Sequence, residues 1–148
     1  MKKLLMLNGP NLNLLGERSP DTYGSTSLTE VENEVYDFLR ENGWELTCRQ
    51  SNHEGELIDI LHDARKHFEG VIFNPGGYSH TSVAIRDAIE AISIPVIEVH
   101  ISNIYQREAF RHQSFISPVA SGHISGLGIK GYKVAAFALL EKLTEREN

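Results

Sequence analysis

A chain of 148 residues is long enough to bury a sizeable core within one domain. Its 41% hydrophobic and 23% charged residues are ordinary for a globular protein, and no apolar run approaches the ~18 residues of a membrane span. A net charge of −6 without a basic run argues against nucleic acid or an anionic membrane as partner. The lone cysteine, Cys48, excludes an internal disulfide and leaves a reducing, cytoplasmic setting as the expectation.

In chain order, the apolar run Leu4–Leu7 reads as a first strand rather than a leader, because it meets Asn8-Gly-Pro-Asn11 after only four residues. A connection of roughly twenty residues follows, a length usually reserved for functional loops such as active-site lids. It carries Asn8, Asn11 and Asn13, a lone Arg18 and a lone Tyr23, with Gly16 and Gly24 as hinges. Ser27-Leu-Thr-Glu30 is a capping box for a helix with Leu28, Val31, Val35, Phe38 and Leu39 on one face, closed by Gly43. Strands at Leu46–Cys48, Val71–Phe73, Val96–Val99 and His123–Ile124 then alternate with helices. The helical faces are Leu57, Leu61, Ala64 and Phe68, then Val83, Ala84, Ala88 and Ile92, then Val134, Phe137, Ala138 and Leu140. This alternation predicts an α/β fold, a flavodoxin-like, doubly wound, five-stranded parallel sheet with helices on both faces, forming a single domain over 1–148. Ligands of such sheets bind beyond the carboxyl ends of the strands.

The candidate chemistry lies in those segments. Asn74-Pro-Gly-Gly-Tyr-Ser-His80 leaves the third strand; its glycines allow close backbone approach to a ligand, although an ordinary turn capped by Ser79 or Thr81 fits the same residues. Period two places Glu98 and His100 on one face of the fourth strand, where a buried carboxylate needs a partner and a carboxylate-supported imidazole makes a good general acid. A purely structural hydrogen bond at a sheet edge is the alternative. Ile101, Ser102 and Asn103 follow with backbone donors, then Arg107 and Arg111, of which one is expected to face solvent. Gly126-Leu-Gly-Ile-Lys-Gly131 matches the dinucleotide fingerprint formally, but too little chain follows for a ribose-binding strand; these glycines read as close helix-to-sheet packing. The seven histidines show no metal-ligand spacing, no nucleophile elbow is present, and among the polar loops only Lys130 offers an amine. A flavin- or nucleotide-binding module lacks a phosphate loop here, and a phosphoacceptor domain would need acidic residues where this chain has asparagine and histidine.

Taken together, Asn8-Gly-Pro-Asn-Leu-Asn-Leu-Leu-Gly16, Arg18 with Tyr23-Gly24, Asn52-His-Glu-Gly-Glu56, Asn74 to Ser82, Glu98-Val-His-Ile-Ser-Asn103, Arg107 to Arg111 and Gly126-Leu-Gly128 closely resemble the type II 3-dehydroquinate dehydratases over nearly the whole chain. One departure is Ser19, where many relatives have glutamate. The resemblance implies reversible dehydration of 3-dehydroquinate to 3-dehydroshikimate by anti elimination through an enolate, in the shikimate pathway and without cofactor or metal. It further implies Tyr23 as proton acceptor, Arg18 as stabiliser of its anion, Asn11 supporting the enolate side through a held water, and His100, oriented by Glu98, as proton donor. Asn74, His80, Arg111 and the amides of Ile101 and Ser102 would hold substrate, with Asp87 reaching a neighbouring subunit's site in a homododecamer. A lid at about 16–25 would cover the site.

Overall fold

The computed structural model describes residues 1–147. Five strands, β1 (Lys3–Asn8), β2 (Glu45–Gln50), β3 (Gly70–Asn74), β4 (Val96–His100) and β5 (Gly122–Ser125), form one sheet in the order β2-β1-β3-β4-β5, with every neighbouring pair parallel. This is the flavodoxin-like order, and its direction of progression reverses between β1 and β3. The central strands β1, β3 and β4 are almost wholly buried, as continuous apolar runs predict, while edge strand β2 alternates exposed and half-buried residues.

Successive side chains of a strand point to opposite faces, so each face builds its own core. Leu4, Met6, Ile72, Ile97 and Val99 meet α2 (Leu28–Glu41) and α5 (Lys130–Glu147). Leu5, Leu7, Val71, Phe73 and Val96 meet α3 (Glu54–His67) and α4 (Val83–Ile92). Ser27 caps α2 as expected: its Oγ accepts from the Glu30 amide at 3.2 Å and donates to Glu30 Oε1 at 3.3 Å. The cap of α4 is Ser82, accepting from the Ile85 amide at 2.9 Å, rather than Ser79 or Thr81. Of the three glycines expected to pack helix against sheet only Gly131 does so, since a Cβ there would sit 3.3 Å from both Ile124 Cγ2 and Val99 Cγ1; Gly126 lies against Asn103 instead, and Gly128 takes a left-handed turn (φ 63°) in open space.

Two helical faces differ from the sequence expectation. In α4 the buried stripe is Ile85, Ala88, Ile89 and Ile92, with Val83 and Ala84 exposed. In α5 it is Tyr132, Ala135, Ala136, Leu139, Leu140 and Leu143, with Val134 and Phe137 exposed. Both helices have apolar residues around much of their circumference, so periodicity fits more than one face. The β1–α2 connection also holds more regular structure than a bare loop, with a 3-10 turn at Leu12–Leu14 and a short helix α1 (Pro20–Tyr23). No described helix is long and apolar enough to cross a membrane.

Candidate active site

The reversal point brings the carboxyl ends of β1 and β3 side by side, and their loops close against each other. Gly9 is obligatory there, because a Cβ would lie 2.6 Å from the Pro75 carbonyl oxygen. Beneath the loops, the buried Tyr132 hydroxyl from α5 donates to Asn8 Oδ1 at 2.7 Å and accepts from Asn74 Nδ2 at 2.8 Å. Asn74 Oδ1 in turn accepts from the Gly76 amide at 3.0 Å, so the amide plane of Asn74 is fixed from both sides. Burial pushes the Tyr132 phenol above its ordinary value, the Asn74 hydrogen bond notwithstanding, which keeps it a neutral donor.

At the end of β4, Glu98 is fully buried and His100 nearly so, on the same face as period two requires. Five groups converge on the Glu98 carboxylate. Its Oε2 accepts from His100 Nε2 at 2.5 Å, Ser114 Oγ at 2.8 Å and Ser79 Oγ at 3.2 Å. Its Oε1 accepts from Ser117 Oγ and lies 3.2 Å from His123 Nδ1. Burial by itself would raise this carboxyl, but the hydrogen bonds from His100, His123 and Ser117, with the His100 charge, outweigh it and hold Glu98 well below the usual carboxylate range. Because Nε2 of His100 is committed to Glu98, Nδ1 is the nitrogen left for a ligand.

A cavity of about 140 Å³ opens above these groups. It is lined by Asn11, Arg18, Tyr23, Asn74, His80, His100, Ile101, Ser102 and Arg111, nine of the eleven residues singled out from the sequence, and by Arg107. Glu98 stands behind His100 rather than in the wall, and Asp87 is exposed on α4 outside the cavity. Asn11 is held in a left-handed turn (φ 70°), its amide donating to Asn52 Oδ1 at 3.0 Å. Nδ1 of His80 pairs with the Gln113 carbonyl at 2.8 Å, which fixes it as the protonated nitrogen and leaves Nε2 as an acceptor in the neutral ring. Burial lowers the proton affinity of His80, helped by the nearby His100 and Arg111 charges and opposed by the Gln113 bond and Glu98.

The largest departure from expectation concerns Arg107, which the sequence left unassigned. Its Nη1 donates to the Tyr23 hydroxyl at 2.7 Å and to Ser102 Oγ at 3.3 Å. Arg18 instead lies over the Tyr23 ring, Cζ 4.8 Å from the centroid, with Arg107 at 5.4 Å. The exposed His112 pairs through Nε2 with the Arg107 carbonyl at 2.9 Å and steadies that segment. Among the described residues three arginines and no carboxylate line the cavity, and two of them, Arg107 and Arg111, also pair with Glu108 at 3.7 and 3.1 Å. Such a wall suits a small anion bearing hydroxyl groups.

Sequence spacing offered no metal pattern, yet Glu98, His100 and His123 bring potential ligand atoms within 4.8 Å of one another. Glu98 and His100 Nε2 are already engaged with each other, and His123 Nδ1 with Ser117 Oγ at 2.8 Å, so the trio is a hydrogen-bonded network in this structure.

Residues 2–140 match the family model described as dehydroquinase class II. The chain belongs to the class II dehydroquinases. It is 57% identical over 145 residues to the 3-dehydroquinate dehydratase of Bacillus cereus, covering 98% of this chain and 99% of that one. The crystal structure of the type II dehydroquinase from Butyrivibrio crossotus superposes with a TM-score of 0.92 at 45% identity, covering 94% of this chain and 97% of that one. That from Propionibacterium acnes gives 0.91 at 40% identity, with 95% and 97% covered.

Proposed function

We propose that the chain is a 3-dehydroquinate dehydratase that interconverts 3-dehydroquinate and 3-dehydroshikimate in the shikimate pathway, on the way to aromatic amino acids. The observation that carries the chemistry is a phenol held by two guanidinium groups in the same cavity as a carboxylate-paired imidazole. Tyr23 removes the proton beside the ketone. Phenols ordinarily ionise near ~10, so this base needs its anion stabilised; Arg107 serves it through the oxygen and Arg18 through the ring. Asn11 supports the developing enolate oxygen through a held water. His100, oriented by Glu98, protonates the departing hydroxyl as general acid. Asn74, His80, Arg111 and the amides of Ile101 and Ser102 hold the substrate, the arginine and amides taking its carboxylate. No step in this scheme calls for a cofactor or metal.

Residues 16–25 act as a lid over the cavity, bringing Arg18 and Tyr23 to the substrate and excluding water. By its resemblance to the family the protein works in the cytoplasm as a homododecamer, a tetramer of trimers. The exposed position of Asp87 suits a contact to the site of a neighbouring subunit.

The deciding experiment mixes purified protein with 3-dehydroquinate and follows the ultraviolet absorbance of the product enone, before and after the protein has been treated with substrate and borohydride together. Product formation that survives borohydride supports elimination without an imine; no absorbance, or loss after borohydride, rejects the reading. Tyr23→Phe should nearly abolish turnover while substrate still binds, and near-normal turnover would reject Tyr23 as the base.

A further inference from the structure

We propose that His123 is a positioning residue that sets the acid strength of His100 through the carboxylate they share, Glu98. The inference concerns the general acid of the proposed dehydration and rests on that reading only for its kinetic half.

The arrangement follows from strand register. In the β4–β5 pair, Glu98 stands opposite His123, so the edge strand places an imidazole against the side of the carboxylate that His100 does not occupy. The two imidazole rings lie on the same carboxylate with centroids 5.5 Å apart. Ser117 completes the link. Its hydroxyl proton goes to Glu98 Oε1, so its oxygen accepts from His123 Nδ1 at 2.8 Å, and the same Nδ1 lies 3.2 Å from Oε1. These bonds fix the proton of neutral His123 on Nδ1, while Nε2 is buried without a partner among the described residues.

The physical consequence has one sign. Each donor on Glu98 spreads its negative charge and weakens its hold on the proton of the opposite imidazole. His123 draws on Oε1 whether it is neutral or charged, so its presence makes His100 the readier proton donor. The other titratable or charged groups facing this cluster are His80, stacked at 6.0 Å from His100 on the turn after β3, and Arg107 and Arg111 in the cavity wall. Their contribution is common to the wild type and to any His123 variant. Ser79 and Ser114 supply neutral hydroxyls to Oε2, and Ser79 Oγ also lies 3.2 Å from His100 Nε2.

The test is a ¹⁵N-histidine NMR titration of His100 in the full chain, for the wild type, His123→Leu and His123→Gln, beside the pH dependence of kcat. In His123→Leu the His100 midpoint should rise by about one unit. The alkaline limb of kcat should move up with it, and plateau kcat should fall about threefold as the acid weakens. Gln, which keeps a donor, should return both toward wild type. A folded His123→Leu protein with an unchanged His100 midpoint overturns the proposal. Should that variant not fold, His123→Val, which removes the same donor from a strand position suited to a β-branched side chain, must show the same upward midpoint or the proposal fails. The NMR readout needs no substrate: a moved midpoint in a protein that does not dehydrate 3-dehydroquinate would reject the function and keep the His123 role.

Discussion

Arg107 and Tyr23, 84 residues apart in the chain, meet through a 2.7 Å hydrogen bond from the guanidinium to the phenol oxygen. Arg18, five residues from Tyr23, touches only the face of its ring. One phenol therefore has two cations with different geometries, one local in sequence and one delivered by the segment after β4. A hydrogen bond to a charged group contributes about 1.5–3 kcal/mol, and a desolvated cation over a ring about 2 kcal/mol. Arg18→Ala and Arg107→Ala should each lower kcat by about tenfold or more. Both should move the acid limb of the pH profile upward, because the phenolate is then harder to form. The double variant should fall short of the product of the two losses, since both groups act on one anion. Steady-state kinetics across pH check this; an unchanged limb in either single variant removes that arginine from the base.

His100→Ala should separate the two halves of the reaction. Without the acid, water loss stalls, while Tyr23 still exchanges the proton beside the ketone with solvent. Deuterium incorporation into recovered 3-dehydroquinate, read by NMR, should persist while enone formation falls by at least about a hundredfold. Loss of exchange together with turnover would mean that one group performs both proton transfers.

The depressed Glu98 carboxyl carries a stability signature. Burial would raise it, but its hydrogen bonds and the His100 charge lower it below the ordinary carboxyl value of 4.5. A carboxylate with a lower proton affinity folded than unfolded stabilises the fold above the ordinary carboxylate value. That contribution is lost as pH falls from there toward the depressed one. Glu98→Gln should therefore cost about 3 kcal/mol at pH 7, and the deficit should shrink as pH drops below 4.5. Urea unfolding at several pH values measures it; a deficit that stays constant with pH would place the cost in packing alone.

Cys48, half-buried on β2, gives a prediction independent of the site. Burial, then the Glu32 charge and the hydrogen bond to Glu32, push its thiol up to about 12. Since the thiolate is the nucleophile, a disulfide reagent at pH 8 should react roughly a thousandfold more slowly with the folded protein than with an ordinary thiol. Glu32→Gln should speed the reaction, and unfolding should release it fully. Fast labelling of the native wild type would contradict the assignment.

Local pattern carried much of this protein. The βα alternation, the Ser27–Glu30 cap, the Glu98–His100 pair on one strand face and the loop holding Arg18 and Tyr23 are all set by spacing along the chain, because helix and strand periods are properties of the backbone. The buried faces of α4 and α5 were not fixed in that way: Val83, Val134 and Phe137 are as apolar as the residues that pack, and the twisted sheet selects which side is covered. Nor could spacing place Arg107 on Tyr23, or gather Ser79, Ser114, Ser117 and His123 around Glu98. Those meetings depend on strand order and on the register of β5 against β4, which bring together segments with no periodic relation to one another.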